Sequence, residues 1–300
     1  YIGGKVDTVR KVVVADANLS AFAKDGEVTI APITILCEEC GSAEFINKFT
    51  PSPDTRQAII LLHGLWGVGK VWDGLINEFR LTNQPYQLWT FSYLSTKPID
   101  ESARDLANYL EANSYRYDRI YVVGYSLGGL VTQNALNYAY SQNQVNSSSY
   151  NFINKVSKVL LVAVPNKGSP VANHISAFLS ESINSQATDV IPINDAIKGL
   201  LTNGISIAPV PNITYYSIAG TKPYPFMERL GLVKLLFGNE PNDGLVGLSS
   251  AQSVGNEMLS QDCVNFWSQP IVHTLVIDDR LVQKIMGQII ASEVFNELAA

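Results

Sequence analysis

The chain has 300 residues, 46% of them hydrophobic and 16% charged, with a formal net charge of −6 at pH 7. That balance describes a globular protein with a sizeable core. With Lys and Arg scattered, it offers no footprint for nucleic acid or anionic membranes. No apolar run approaches the roughly 18 to 20 residues that a membrane span needs, so no transmembrane segment is expected.

From residue 1 to 56 the pattern is strand-like. Val9 to Val14, Val28 to Leu36 and Ala43 to Phe49 are separated by Asp, Gly and the Cys37-Glu38-Glu39-Cys40-Gly41 turn. This reads as an N-terminal β-rich decoration. Pro51, Ser52 and Pro53 then punctuate the chain, and a main domain is expected over 57–300.

Short apolar runs alternate with helical spacing from there on. Ala58 to Leu62 precedes Val71 to Phe79; Gln87 to Phe91 precedes Ile99 to Leu110; Ile120 to Val123 precedes Leu127 to Tyr140; Val159 to Val164 follows. Such alternation predicts an α/β fold, a mostly parallel central sheet with helices on both faces. Ser141 to Tyr150, rich in Ser, Asn and Gln, predicts a solvated loop. Between Val164 and the next strand, Thr214 to Ile218, helical spacing at Ile175, Phe178, Leu179 and Ile183 and again at Ile193, Ile197 and Leu200 predicts a helical cap over about 166–212. Phe226 to Phe237 predicts one apolar helix, which serves as core or as an acyl-chain groove, and Asp279 to Leu298 a final one.

The sharpest motif is Gly124-Tyr125-Ser126-Leu127-Gly128-Gly129, directly after a buried strand and at the start of a helical pattern. In that context G-x-S-x-G predicts a tight turn that strains the serine backbone and exposes its hydroxyl, with Gly124 and Gly128 leaving room where strand and helix converge. A serine hydroxyl needs a base. Of three histidines, His63 lies upstream and His174 in the expected cap, which leaves His273. The imidazole needs a carboxylate. Asp243, in Asn242-Asp243-Gly244-Leu245-Val246, is the first choice over Asp189, Asp262 and Asp278, because its turn follows a strand end. The order Ser126, Asp243, His273 is that of α/β hydrolases.

An oxyanion hole needs two backbone N–H groups. Leu127 supplies one, and the loop His63-Gly64-Leu65-Trp66-Gly67 the other, with Leu65 ahead of Gly64 and Trp66. His63 then organises that loop. Trp66 and Tyr125 are expected to contact substrate.

Taken together, His63-Gly64-Leu65, the Gly124 to Gly129 motif, Val164-Pro165-Asn166-Lys167-Gly168-Ser169, and Asn242 to Val246 followed by His273 resemble the α/β-hydrolase superfamily over residues 58–299. Within it the resemblance is to bacterial-type lipases and carboxylesterases. Such lipases usually carry His where this chain has Tyr125, and often T-P-H-x-G where it has Val164 to Gly168. The resemblance implies a serine hydrolase that cleaves carboxylic esters through an acyl-enzyme on Ser126, acts on a small-molecule or lipid ester, and needs no cofactor; some relatives hold a structural calcium near the histidine loop, but the spacing of Asp278 and Asp279 does not match one and no metal is expected. It also implies lipid-interface contact through the cap. Together with a chain that opens at Tyr1, it favours export over a cytoplasmic location.

Other readings compete. A binding receptor on the same fold would carry the same residues without turnover. Gly64-Leu65-Trp66-Gly67-Val68-Gly69-Lys70 fits a phosphate-binding loop, but Val71 stands where Ser or Thr would hold Mg²⁺. Cys37, Cys40 and Cys263 are too few for a closed zinc site, and a free pair or a local disulfide is the expectation.

Overall fold

The computed structural model describes residues 11–12, 35–36, 42–45, 56–65, 67, 69–81, 86–95, 97–146, 149–172, 207–260 and 265–291. Strands β1 (Lys11–Val12) and β2 (Ile35–Leu36) pair antiparallel as a small separate ladder. Strand β3 (Ser42–Phe45) instead joins the main sheet, which therefore reaches back past residue 57. Of the expected cap, residues 173–206 lie outside the described residues, as do Cys37, Cys40, Cys263 and His174.

The main sheet comprises β3, β4 (Gln57–Leu62), β5 (Gln87–Ser92), β6 (Arg119–Tyr125), β7 (Val156–Val162), β8 (Thr214–Gly220) and β11 (Phe266–Gln269). Its order is β11-β8-β7-β6-β4-β5-β3, with every pairing parallel except β3 against β5. Between β8 and β11 the short strands β9 (Ser253–Val254) and β10 (Glu257–Met258) form a hairpin on Gly255, whose φ is +58°.

Burial on both faces explains why the parallel strands read as continuous apolar runs. In β4, Ala58, Ile60 and Leu62 join one core cluster while Ile59 and Leu61 join the other. Helices α2 (Ile99–Asn113) and α3 (Leu127–Val145) pack together over the first face. Helix α1 (Asp73–Leu81) and the final helix α4 (Arg280–Ala291) pack together over the second. In α2 the buried Ile99, Ala103, Leu106, Ala107 and Leu110 make one stripe at helical spacing, and Asp100 and Glu101 suit its amino-terminal dipole. Each large side chain fully enclosed this way, Trp72 and Phe152 among them, contributes about 1.5–3 kcal/mol relative to exposure.

Two further elements differ from the sequence expectation. Helix α3 runs on to Val145 through polar residues read as loop, and only then ends at Asn146. A helix already held by a buried face extends at the low cost of propagation, and Asn143 clamps the returning chain through bonds to Tyr150 N (2.8 Å) and Tyr150 O (2.9 Å). The Phe226 to Phe237 stretch is two short helices, Pro225–Arg229 and Leu232–Phe237, because Gly231 between them takes φ +70°. Among the described residues no helix is long and apolar enough to cross a membrane.

Candidate active site

The site follows from strand order. The chain leaves β4 for β5 on one side and returns across β4 to build β6 on the other, so the loops after β4 and β6 part and open a crevice at the strands' carboxyl ends. His63, Gly64 and Leu65 leave β4; Ser126 leaves β6. Next to the strand ends the two loops still meet. A Cβ on Gly64 would lie 3.0 Å from Ser126 Cβ.

Ser126 is the single residue between β6 and α3, with φ 51° and ψ −124°. A non-glycine residue held there stores about 1–3 kcal/mol, which the surrounding structure must offset. The constraint is visible in the packing. A Cβ on Gly124 would lie 2.5 Å from Gly129 Cα, and one on Gly128 would run into the Leu62 and His63 carbonyls. Ser126 N–H donates to Val162 O at 2.9 Å. From Ile120 to Gln133, Ser126 is the only residue not fully buried, so the turn lifts one hydroxyl out of the core.

His273 and Asp243 meet that hydroxyl. His273 Nε2 stands 3.0 Å from Ser126 Oγ, and His273 Nδ1 lies 2.7 Å from Asp243 Oδ2. A carboxylate can only accept, so Nδ1 carries a proton, and in the neutral imidazole Nε2 then presents a lone pair to the serine. Asp243 is 1% exposed and His273 4%. The Asp243 turn is locked by its own backbone. Gly244 takes φ +94°, Oδ1 accepts from Leu245 N at 3.0 Å and Val246 N at 2.7 Å, and Oδ2 is left for the imidazole. His273 N–H also donates to Asp243 O at 2.9 Å, fixing the two loops to each other.

His63 has no such freedom. Its Nδ1–H donates to Gly64 O at 2.8 Å, and Nε2 accepts from Tyr93 N–H at 3.3 Å. The Tyr93 ring stacks on it with centroids 4.4 Å apart, and the Tyr93 hydroxyl donates to His63 O at 2.7 Å. Burial pushes the His63 imidazolium down to about 4, so the ring is neutral at ordinary pH. It holds the loop after β4 in shape.

Leu127 occupies the first position of α3, where a backbone N–H has no intrahelical acceptor and the helix dipole is positive. Leu65 lies half-buried in a turn closed by Gly67 N–H to Gly64 O at 3.1 Å, one residue after the Gly64 that abuts Ser126. Trp66 lies outside the described residues.

Tyr125 departs from the substrate-contacting part expected of it. It is buried on the α1 and α4 face with Tyr121 and Val123, and its hydroxyl donates to His273 O at 3.0 Å. Burial, and then the nearby Asp243 charge, push its pKa up, so the phenol stays protonated and able to donate. Strand alternation carried that signal, since residues 121, 123 and 125 must share a face.

Tyr93 was not singled out by sequence, and Ser169 entered only as the last residue of the Val164 to Ser169 motif, without a role of its own. Tyr93 lies just past β5, where its place against His63 depends on the β4 and β5 register, a long-range fact. Among the other aspartates considered, Asp278 is exposed, while Asp189 and Asp262 lie outside the described residues. Asp279 caps α4 through Leu281 N and Val282 N at 2.9 and 3.1 Å. The loop resembling a phosphate cradle has an exposed Lys70 and passes through a 3-10 turn, Gly69–Trp72, before α1 begins. Among the described residues no three His, Cys, Asp or Glu side chains gather as a metal site would require. An open groove of about 430 Å³ lined by Asn108, Glu111, Gln142 and Tyr150 lies near the far end of α3 and does not reach Ser126.

A family model described as the alpha/beta hydrolase family matches residues 59–294. Among solved structures, the mature form of lipase BlEst2 from Bacillus licheniformis is similar at 20% identity and a TM-score of 0.59, over 84% of this chain and 98% of that one. The same lipase in its propeptide form gives 20% identity and a TM-score of 0.61, over 85% of this chain and 55% of that one. The chain thus spans about half the length of the propeptide form. At these identities the likeness speaks to the fold. A comparison with curated proteins finds no match.

Proposed function

Because the chain belongs to the alpha/beta hydrolase family, we propose that it is a serine hydrolase of carboxylic esters, of the lipase or carboxylesterase kind. Ser126 Oγ attacks the ester carbonyl carbon while His273 Nε2 takes its proton. The alkoxide leaves as the alcohol, protonated by His273, and the acyl group stays on Ser126. Water then attacks the acyl-enzyme, giving its proton to His273, and the carboxylic acid departs as Ser126 is restored. Asp243 holds the reactive tautomer and stabilises the transient imidazolium. The Leu127 and Leu65 N–H groups receive the oxyanion, each such donor being worth roughly 10²–10³ in kcat.

One observation carries the reading: an unbroken hydrogen-bonded line from Asp243 Oδ2 through both nitrogens of His273 to Ser126 Oγ, at 2.7 and 3.0 Å, ending on a strained residue at the mouth of the sheet. In this scheme β3 belongs with the hydrolase domain of 57–300, and the rest of residues 1–56 decorates it. The segment of about 166–212 caps the crevice, and its apolar positions together with Trp66 receive the acyl chain and meet a lipid interface. Tyr125 supports the histidine loop from behind.

The test is hydrolysis of p-nitrophenyl esters of graded chain length by wild type and Ser126→Ala, with intact mass after a fluorophosphonate. Expected are turnover reduced by ~10⁴ or more in the variant and one adduct on wild type alone. The chain-length optimum separates esterase from lipase. Absence of both turnover and adduct in wild type would overturn the proposal in favour of a binding receptor.

A further inference from the structure

We propose that Ser169 is a positioning residue for Asp243, acting through the peptide group that joins Leu245 to Val246; the inference rests on the triad reading above. The Ser169 hydroxyl donates to Leu245 O at 2.5 Å. On the other side of that same planar peptide, Val246 N–H donates to Asp243 Oδ1 at 2.7 Å. A peptide unit is rigid, so an anchor on its carbonyl fixes the direction of its N–H. A hydrogen bond accepted at the carbonyl also polarises the unit and strengthens the N–H as a donor. The line therefore continues behind the carboxylate: Ser169, the 245–246 peptide, Asp243, His273, Ser126. With Oδ1 held at this end, Oδ2 faces His273 Nδ1.

Local structure aims Ser169 for the task. Gly168 takes φ +83° in a turn closed by its N–H to Pro165 O at 2.9 Å, which swings the next residue toward the Asp243 turn. Ser169 is 6% exposed, so water does not readily replace Leu245 O as its partner. The loop from Val164 to Ser169 is docked at other points too. Ser250 Oγ accepts from Lys167 N at 3.0 Å and donates to Gly168 O at 2.8 Å. Asn166 Nδ2 donates to Ala251 O at 3.2 Å, and Gln133 Nε2 donates to Asn166 Oδ1 at 2.7 Å. Those bonds join the loops without touching the peptide that serves Asp243, so Ser250 provides a matched control.

The experiment follows the Nδ1 proton resonance of His273 by NMR, assigned by its loss in His273→Gln, together with kcat and KM on a p-nitrophenyl ester. Wild type, Ser169→Ala, Ser169→Cys and Ser250→Ala are compared after their melting curves are matched. Ser169→Ala is expected to move the resonance upfield and broaden it, and to lower kcat roughly tenfold with KM unchanged. Cysteine, a weak donor of similar size, should fall between serine and alanine, and it carries the test should alanine not fold. Ser250→Ala should leave both readouts at wild-type values. An unmoved resonance in Ser169→Ala or Ser169→Cys would overturn the proposal, as would an equal change in Ser250→Ala. The resonance needs no turnover: an inactive wild type whose resonance still answers to Ser169 would sink the hydrolase reading and leave the positioning intact.

Discussion

His63 and His273 are both buried, at 1% and 4% exposure, and both belong to loops that line the same crevice. Their partners set them apart. The nitrogens of His63 are engaged by Gly64 O and Tyr93 N–H, its face is covered by Tyr93, and burial keeps the ring neutral. His273 has a carboxylate behind it and a hydroxyl in front. Burial alone produces a structural histidine. Burial with a charge on one nitrogen and a transferable proton at the other produces a base.

The comparison breaks first at the base. His273→Ala should reduce ester turnover by ~10⁴ or more while the melting temperature stays near wild type, measured by initial rates and calorimetry. Asp243→Asn should come next, at ~10⁴ in kcat, because an amide can stabilise the wrong tautomer. Near-wild-type turnover in either variant would end the distinction drawn here.

His63 should answer in stability instead. His63→Leu leaves the Tyr93 amide buried without its partner, at about 1–3 kcal/mol, and the Gly64 carbonyl with Gly67 N–H as its remaining donor, with turnover of the folded fraction down by no more than about tenfold. A pH dependence sharpens this. The folded pKa of about 4 lies below the unfolded value of 6.5, so the unfolded chain binds more protons between them. The stability His63 contributes is present above pH 6.5 and is lost as pH falls towards 4, by up to about 3 kcal/mol. Urea midpoints at pH 7 and pH 4.5 should therefore differ less in His63→Leu than in wild type. Equal differences would mean that His63 is not held neutral. The smallest effect is Tyr125→Phe, which removes the hydroxyl from His273 O for about 0.5–1.5 kcal/mol of stability and a few-fold change in kcat, read by the same assays.

The parallel sheet, the serine turn and the partners of Ser126 were legible because each leaves a local mark. Buried strands read as apolar runs, Gly124 and Gly128 stand where a Cβ would collide, and only three histidines were available to choose from. What escaped depends on register or on context. Tyr93 finds His63 only once β4 and β5 are aligned, and Ser169 finds Leu245 across 76 residues of chain. The extension of α3 through Gln142 and Gln144 was hidden because polar residues are as compatible with a solvated helix end as with a loop. The break at Gly231 was legible in principle, since glycine within a helical pattern is where a left-handed residue is accommodated.

The pairing of β3 with the outer side of β5 bears on how separate copies of the protein behave. Without β3, the backbone donors and acceptors on that side of β5 would form an open edge, a template onto which another chain could zip. A segment outside the expected main domain thereby moves the open edge from the six residues of β5 to the four of β3, and a shorter edge strand is a weaker template. A fragment cut just before Gln57 would retain the crevice residues and yet be prone to self-association, so solubility and chemistry should part company at that point.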